Sequence, residues 1–134
     1  MTGKALRQRG FTLLELMIVI SILVILALIA MGQYNRTVLA AKEATLREDL
    51  YTMRKMIDQY AADKGKLPSS LEDLKTAGYI HEIPDDPMTE QFGDDWNVEF
   101  GDDPGSTDSS QGLVNVRSSS NDMDSLGDKR YSEW

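Results

Sequence analysis

The sequence predicts an α+β protein in which one long N-terminal helix packs on a small antiparallel sheet. Three patterns carry that expectation. An apolar run from Phe11 to Gly32 contains no proline. Leu46, Leu50, Met53, Ile57 and Tyr60 then follow at spacings of 4, 3, 4 and 3, which puts them on one helical face. Near the other end, Trp96, Val98 and Phe100 alternate with polar residues in the manner of a half-buried strand.

Residues 1–10 form a basic leader, with Lys4, Arg7 and Arg9 and no acid. Residues 11–32 are long enough to cross a bilayer as a helix, because about 20 residues at 1.5 Å each cover its ~30 Å apolar core. Positive flanks stay in the cytoplasm, so residues 33–134 are expected on the far side of the membrane. Gly32, the only glycine of the run, is a weak point, since glycine loosens a helix by about 1 kcal/mol relative to alanine. One residue does not belong. Glu15 sits five residues into the apolar run, and a carboxylate near a bilayer core costs at least ~2.5–3.5 kcal/mol.

The helix continues through the stripe, with Arg47, Glu48, Arg54, Lys55 and Asp58 on its other faces, until Gly65 and Pro68 stop it near Asp63. From Phe11 to Asp63 it would measure about 80 Å. The stripe lasts too few heptads for a coiled coil and reads as packing on the chain's own domain. Ser69-Ser70-Leu71-Glu72 reads as a capping box with Ser69 as N-cap, opening a short helix that ends at Gly78. A second strand runs from Leu113 to Arg117 with Val114 and Val116 facing inward. The Gly-, Ser- and Asp-rich stretch from Gly101 to Gly112 reads as a mobile loop. Tyr131 and Trp134 are large for a loose tail, so the last residues should fold back onto the sheet.

Composition narrows the function. The 134 residues carry a formal charge of −8, and removing the leader's three cations makes it −11. Recognition of nucleic acid needs clustered Lys and Arg, so that class is excluded. No cysteine is available for a disulfide, which small domains outside the cytoplasm often use. A metal, assembly or packing on the long helix must secure the fold instead. Catalysis finds no support: His81 is the only histidine, and there is no nucleophile motif or phosphate-binding glycine loop. A non-enzyme is expected.

The run Gly10-Phe11-Thr12-Leu13-Leu14-Glu15-Leu16, behind a basic leader, resembles the class III signal of type IV pilins and type II secretion pseudopilins. The resemblance implies that a prepilin peptidase cuts between Gly10 and Phe11, that Phe11 is N-methylated, and that Glu15 is the assembly acid. Two plainer readings stand beside it. Ala30-Met31-Gly32 could end an ordinary secretory signal, although such apolar segments are usually 7–15 residues and free of acids. A simple signal anchor is the other. Further on, Leu67-Pro68, Leu71, Leu74, Gly78-Tyr79-Ile80 and Ile83-Pro84-Asp85-Asp86-Pro87 look like the segment after the spine helix of major pseudopilins. Those typically continue Asp-Pro-Trp-Gly, where this chain has Asp86-Pro87-Met88-Thr89. Many relatives also have proline where this chain has Gly32.

The resemblance implies a pilin-like subunit that waits in the inner membrane, single-pass, with its C-terminal domain in the periplasm. It joins a helical homo-oligomeric filament with the help of an assembly platform and minor pseudopilins. As a major pseudopilin it would move folded proteins out of the periplasm. The alternative is the shaft of a type IV pilus, for adhesion, motility or another surface role. A membrane-anchored binding domain that never polymerises is a third class.

Two acidic features remain. From Thr76 to Val116 there are ten acids and no Lys or Arg: Glu82, Asp85, Asp86, Glu90, Asp94, Asp95, Glu99, Asp102, Asp103 and Asp108. They read as a solvated surface, or as a dock for a basic partner or cation. Asp122, Asp124 and Asp128 offer hard oxygens at 0, +2 and +6 beside Gly127, of the kind calcium accepts. The pattern is not an EF-hand. Similar major pseudopilins hold calcium in their C-terminal loop, so the resemblance implies Ca2+ here.

Overall fold

The computed structural model describes residues 10–89, 96–105 and 110–134. Lys4, Arg7 and Arg9 of the leader, and the acids Glu90, Asp94, Asp95 and Asp108, lie outside the described residues. The chain divides after Val38 into two units.

Helix α1 runs unbroken from Leu13 to Lys64, through Gly32. In the first unit it starts on Thr12, whose Oγ1 accepts the N–H of Glu15 at 3.2 Å and whose carbonyl accepts that of Leu16. Every large apolar side chain from Leu13 to Met31 stands 45–83% exposed. A helix apolar on all faces, with nothing among the described residues packed on it, belongs in a membrane or a partner, and α1 is long and apolar enough to cross a bilayer. The hydroxyl of Ser21 donates to the carbonyl of Met17, one turn back, so it adds no unmet polar group to this surface.

The second unit is built on the rest of α1. Leu46, Leu50, Met53, Ile57 and Tyr60 are buried as the spacing predicts, and Glu43 is buried with them. Gly65, with φ of 70°, ends the helix by adopting the left-handed conformation open to glycine. Helix α2 spans Leu71–Thr76 and adds Leu71 and Leu74 to the core. Its cap differs from the expected box. Ser70, not Ser69, is the N-cap, and its side chain makes no capping bond. Asp73 instead reaches back to accept the N–H of Ser69 at 2.7 Å, leaving Glu72 in an exposed ion pair with Lys75. The acid one position further on is the one aimed at the free N–H.

Strands β1 (Asn97–Asp102) and β2 (Gln111–Arg117) pair antiparallel. Val114 does not face inward as expected. Glu99 pairs with Asn115 and Phe100 with Leu113, which leaves Val114 as the extra residue of a β-bulge. A bulge shifts the in–out alternation by one position. Leu113 and Val116, three residues apart, are therefore both fully buried, while Val114 is 41% exposed. Residues 106–109 of the expected mobile loop lie outside the described residues, and its start is fixed by side-chain bonds. Asp103 is buried, and its carboxylate accepts N–H groups from Leu67 and Gly105. Gly112 passes so close to Leu67 that a Cβ there would stand 2.2 Å from the leucine Cβ.

A final 3₁₀ turn, Tyr131–Glu133, closes the unit. Tyr131 is 2% exposed, and its ring meets Trp134 edge-on at 5.2 Å. Arg47 lies over the Trp134 ring at 4.4 Å, a cation–π contact. The tail thus folds back as expected, onto α1 as well as β2.

Candidate functional site

The start of α1 brings Gly10, Phe11 and Glu15 together in the order the motif requires. Gly10 and Phe11 precede the helix and are exposed, with nothing within 4 Å of a Cβ built on Gly10. Such a segment is open to a peptidase. Glu15 falls in the first turn, where a negative charge is favoured by the helix dipole. Thr12-Leu13-Leu14-Glu15 is also a capping-box sequence, of which the Thr12 half is formed. Glu15 makes no ion pair within the chain among the described residues.

The C-terminal loop is organised by Asp124 and Glu43. The Asp124 carboxylate accepts N–H groups from Leu126 at 3.2 Å and Asp128 at 2.9 Å. Its main chain exchanges bonds with Lys129 and Gly127, the latter left-handed at φ of 70°. The Asp128 N–H contributes most to holding the Asp124 carboxyl below its ordinary range, against an opposing effect of desolvation. Asp122 and Asp128 have exposed side chains. In donor type the three acids suit calcium, being hard oxygens in a short loop. They are not gathered, however: no group of three acidic or histidine side chains among the described residues is placed to hold a metal.

Glu43 is the residue the sequence reading missed. It projects from α1 and accepts the Ser125 N–H at 2.6 Å, the Ser125 hydroxyl at 2.9 Å and the Tyr131 hydroxyl at 2.8 Å. Burial works to raise its pKa, but the bonds from Ser125 and Tyr131 and the charge of Arg47 outweigh it, and the carboxyl lies below its ordinary value. Tyr131 is pushed up to about 12 by burial and by the same carboxylate. The signal was present: Glu43 sits three residues before Leu46 and continues the buried stripe, so it is an acid on an apolar face, as Glu15 is.

Arg54 was expected on an outer face and is instead half-buried. It donates to Asn115 Oδ1 at 2.8 Å, and through Nη2 to the carbonyls of Val116 at 2.8 Å and Trp134 at 2.6 Å. Helix, strand and tail are joined through this one guanidinium.

The acidic stretch divides into used and unused groups. Asp86 is buried and accepts bonds from the Ser118 hydroxyl and from the N–H groups of Met88 and Ser119. Glu99 pairs with Arg117 at 2.7 Å and accepts from Asn115. With Asp103 also engaged, Glu82, Asp85 and Asp102 are the exposed remainder among the described residues.

Comparison with known proteins fits this geometry. The family described as "Prokaryotic N-terminal methylation motif" matches residues 6–31, from the leader to the end of the exposed apolar helix. The type II secretion system core protein G of Pectobacterium carotovorum is 32% identical over 97 residues, 60% of this chain and 62% of that protein. The protein of the same name from Aeromonas hydrophila is 30% identical, over 60% of this chain and 68% of its own length. Competence protein ComGC of Halalkalibacterium halodurans is 33% identical over 73 residues, 54% of this chain and 72% of that one. No solved structure gives a significant match.

A methylation motif opening an exposed apolar helix, joined to a small α+β unit, defines the class of type IV pilin-like subunits. Within it, this chain belongs to the major pseudopilin family of type II secretion system core protein G. The match spans less than two thirds of the Pectobacterium protein's length.

Proposed function

We propose that this chain is the structural subunit of a type II secretion pseudopilus. The observation that carries the reading is the methylation motif over residues 6–31, laid on a helix whose apolar residues from Leu13 to Met31 stand exposed among the described residues. Fifteen large apolar side chains from Leu13 to Met31 are held by lipid before assembly and by neighbouring copies after it. A prepilin peptidase cuts between Gly10 and Phe11, and Phe11 is then N-methylated. Glu15 is the assembly acid, its charge met by the amine of Phe11 on a neighbouring subunit. The chain is anchored in the inner membrane with residues 33–134 in the periplasm, and an assembly platform with minor pseudopilins feeds it into the filament.

Calcium uptake by the C-terminal loop belongs to the same reading. Asp122, Asp124 and Asp128 supply hard oxygens within seven residues, exposed at Asp122 and Asp128, and a divalent ion that draws them together offsets their mutual repulsion.

Deleting the gene and assaying secretion tests the function. Loss of extracellular cargo with its build-up in the periplasm, and short filaments in the sheared-cell fraction of the wild type, are the expected results. A wild-type cell without such filaments would sink the reading. The competence relative favours one second reading, a surface filament. Long filaments outside the cell, with secretion intact in the deletion strain, would select it.

A further inference from the structure

Between α1 and the segment following α2 lies a groove of about 440 Å³. Met53, Ile80 and Pro84 line it with apolar surface, and Asp49, His81 and Glu82 supply its polar side. Asp49 is half-buried and its carboxylate makes no hydrogen bond or ion pair among the described residues, unlike those of Glu43, Asp86 and Asp103.

We propose that this groove seats a basic side chain on helix α1 of a second copy of the chain. The inference rests on the filament reading and names a contact surface for it. Charge complementarity identifies the occupant. From Thr76 to Val116 the chain has ten acids and no Lys or Arg, whereas its free cations lie elsewhere. Lys42, Lys55 and Lys64 on α1 are exposed and have no ion-pair partner among the described residues. None of the three lysines lines the groove, and between copies aligned in a filament the contact is head-to-tail, so repetition without closure yields an open helical filament.

The chemistry fits an organic cation better than a metal. No three acidic or histidine side chains among the described residues are grouped to ligate an ion. A lysine needs only one carboxylate for its ammonium and an apolar wall for its methylenes, which Asp49 and the Met53–Ile80–Pro84 lining provide. Asp49 is also poorly served without it. Burial raises its pKa, and Glu48 and Asp86 add repulsion. A cation from a neighbour offsets these effects by pairing with the carboxylate.

The test uses the full chain expressed with its assembly machinery, reading sheared filaments against subunit held in the membrane. Asp49→Lys should lower filament yield about ten-fold or more, because like charges facing each other across an interface are strongly disfavoured. Membrane-held subunit should not change, and Asp49→Asn should give a smaller loss. In the Asp49→Lys background, one of Lys42→Asp, Lys55→Asp or Lys64→Asp should restore most of the yield. Since the chain has no cysteine, His81→Cys combined with cysteine at the restoring position should crosslink neighbouring subunits in filaments. Wild-type filaments with an unaffected Asp49→Lys variant overturn the groove. Loss in Asp49→Lys that no reversal restores overturns the second-copy occupant. An absence of filaments in the wild type sinks the filament reading itself.

Discussion

Removing the Glu43 carboxylate should loosen the C-terminal loop from α1 and lower the stability of the whole second unit. The three bonds it accepts, from Ser125 N–H, Ser125 Oγ and Tyr131 Oη, are 2.6–2.9 Å long. Hydrogen bonds to charged groups contribute roughly 1.5–3 kcal/mol each, and a buried donor left unmet costs about 1–3 kcal/mol. The three share one carboxylate and do not add. Ser125 can also turn to water, whereas the buried Tyr131 hydroxyl cannot. Glu43→Ala should therefore cost about 3 kcal/mol, and Glu43→Gln, which keeps the shape and an acceptor, about 1 kcal/mol. For a unit of about 100 residues these are melting shifts of roughly 12–24 °C and 4–8 °C. Thermal unfolding of residues 33–134, which carry their own core, measures both. A Glu43→Ala protein melting within a degree or two of wild type would refute the reasoning.

The pH dependence has a definite sign. The Glu43 carboxyl lies below its ordinary 4.5 in the folded protein. Its stabilising effect is complete above the unfolded value and is lost as pH falls through the folded one, so it fades on the acid side of pH 4.5. Tyr131 moves the other way, from 10.0 to about 12. Its contribution is intact below pH 10 and is lost as pH rises toward 12. Glu43→Gln should flatten the acid limb of the melting curve, and Tyr131→Phe the alkaline one.

Mass spectrometry of the mature protein should show 124 residues beginning with methylated Phe11, by subtraction of the ten-residue leader from 134; a mature start at Gln33 would restore the ordinary secretory signal. Glu15→Leu should insert into the membrane at least as well as wild type and yet fail to polymerise, and normal filament yield from it would remove the assembly role. Calcium at 100 times its Kd should stabilise residues 33–134 by about 2.7 kcal/mol, with the gain reduced by Asp124→Ala and Asp128→Ala. A chelator that leaves the wild-type melting temperature unchanged would leave those acids as loop-closing groups only.

Periodicity made most of this fold legible. The 4-3-4-3 spacing from Leu46 to Tyr60 names the buried face of α1, and Gly65 places its end within a residue of the observed Lys64. Strand existence was equally plain from Trp96, Val98 and Phe100. The orientation of β2 was not, because a bulge is a property of the pair. Nothing in Leu113-Val114-Asn115-Val116 says which residue will be skipped when Glu99 and Phe100 pair across from it. The cap of α2 failed for a related reason. Ser69-Ser70 offers two caps and Glu72-Asp73 two acids, and only the turn after Pro68 selects Asp73. Polar residues that join distant elements were the least visible. Arg54 reaches partners 61 to 80 positions away, and a local pattern carries no information at that range.

Glu15 and Glu43 show how far one anomaly can be read. Each is an acid on an apolar helical face, and each therefore needs a partner, because an unpaired carboxylate withdrawn from water is strongly disfavoured. Glu43 finds its partners within the chain, in Ser125 and Tyr131, and so acts as a fastening between α1 and the loop. The Glu15 carboxylate has no ion-pair partner among the described residues, the bond to Thr12 being made by its main-chain N–H, and the apolar side chains around it stand 45–83% exposed. Under the function proposed above, that demand is met by a neighbouring subunit. An acid satisfied at home stabilises a fold, whereas one left unmet on a surface that is itself unburied calls for assembly. That distinction, read from which side chains are exposed, separates the part of α1 that carries buried core residues from the part whose apolar side chains stand exposed.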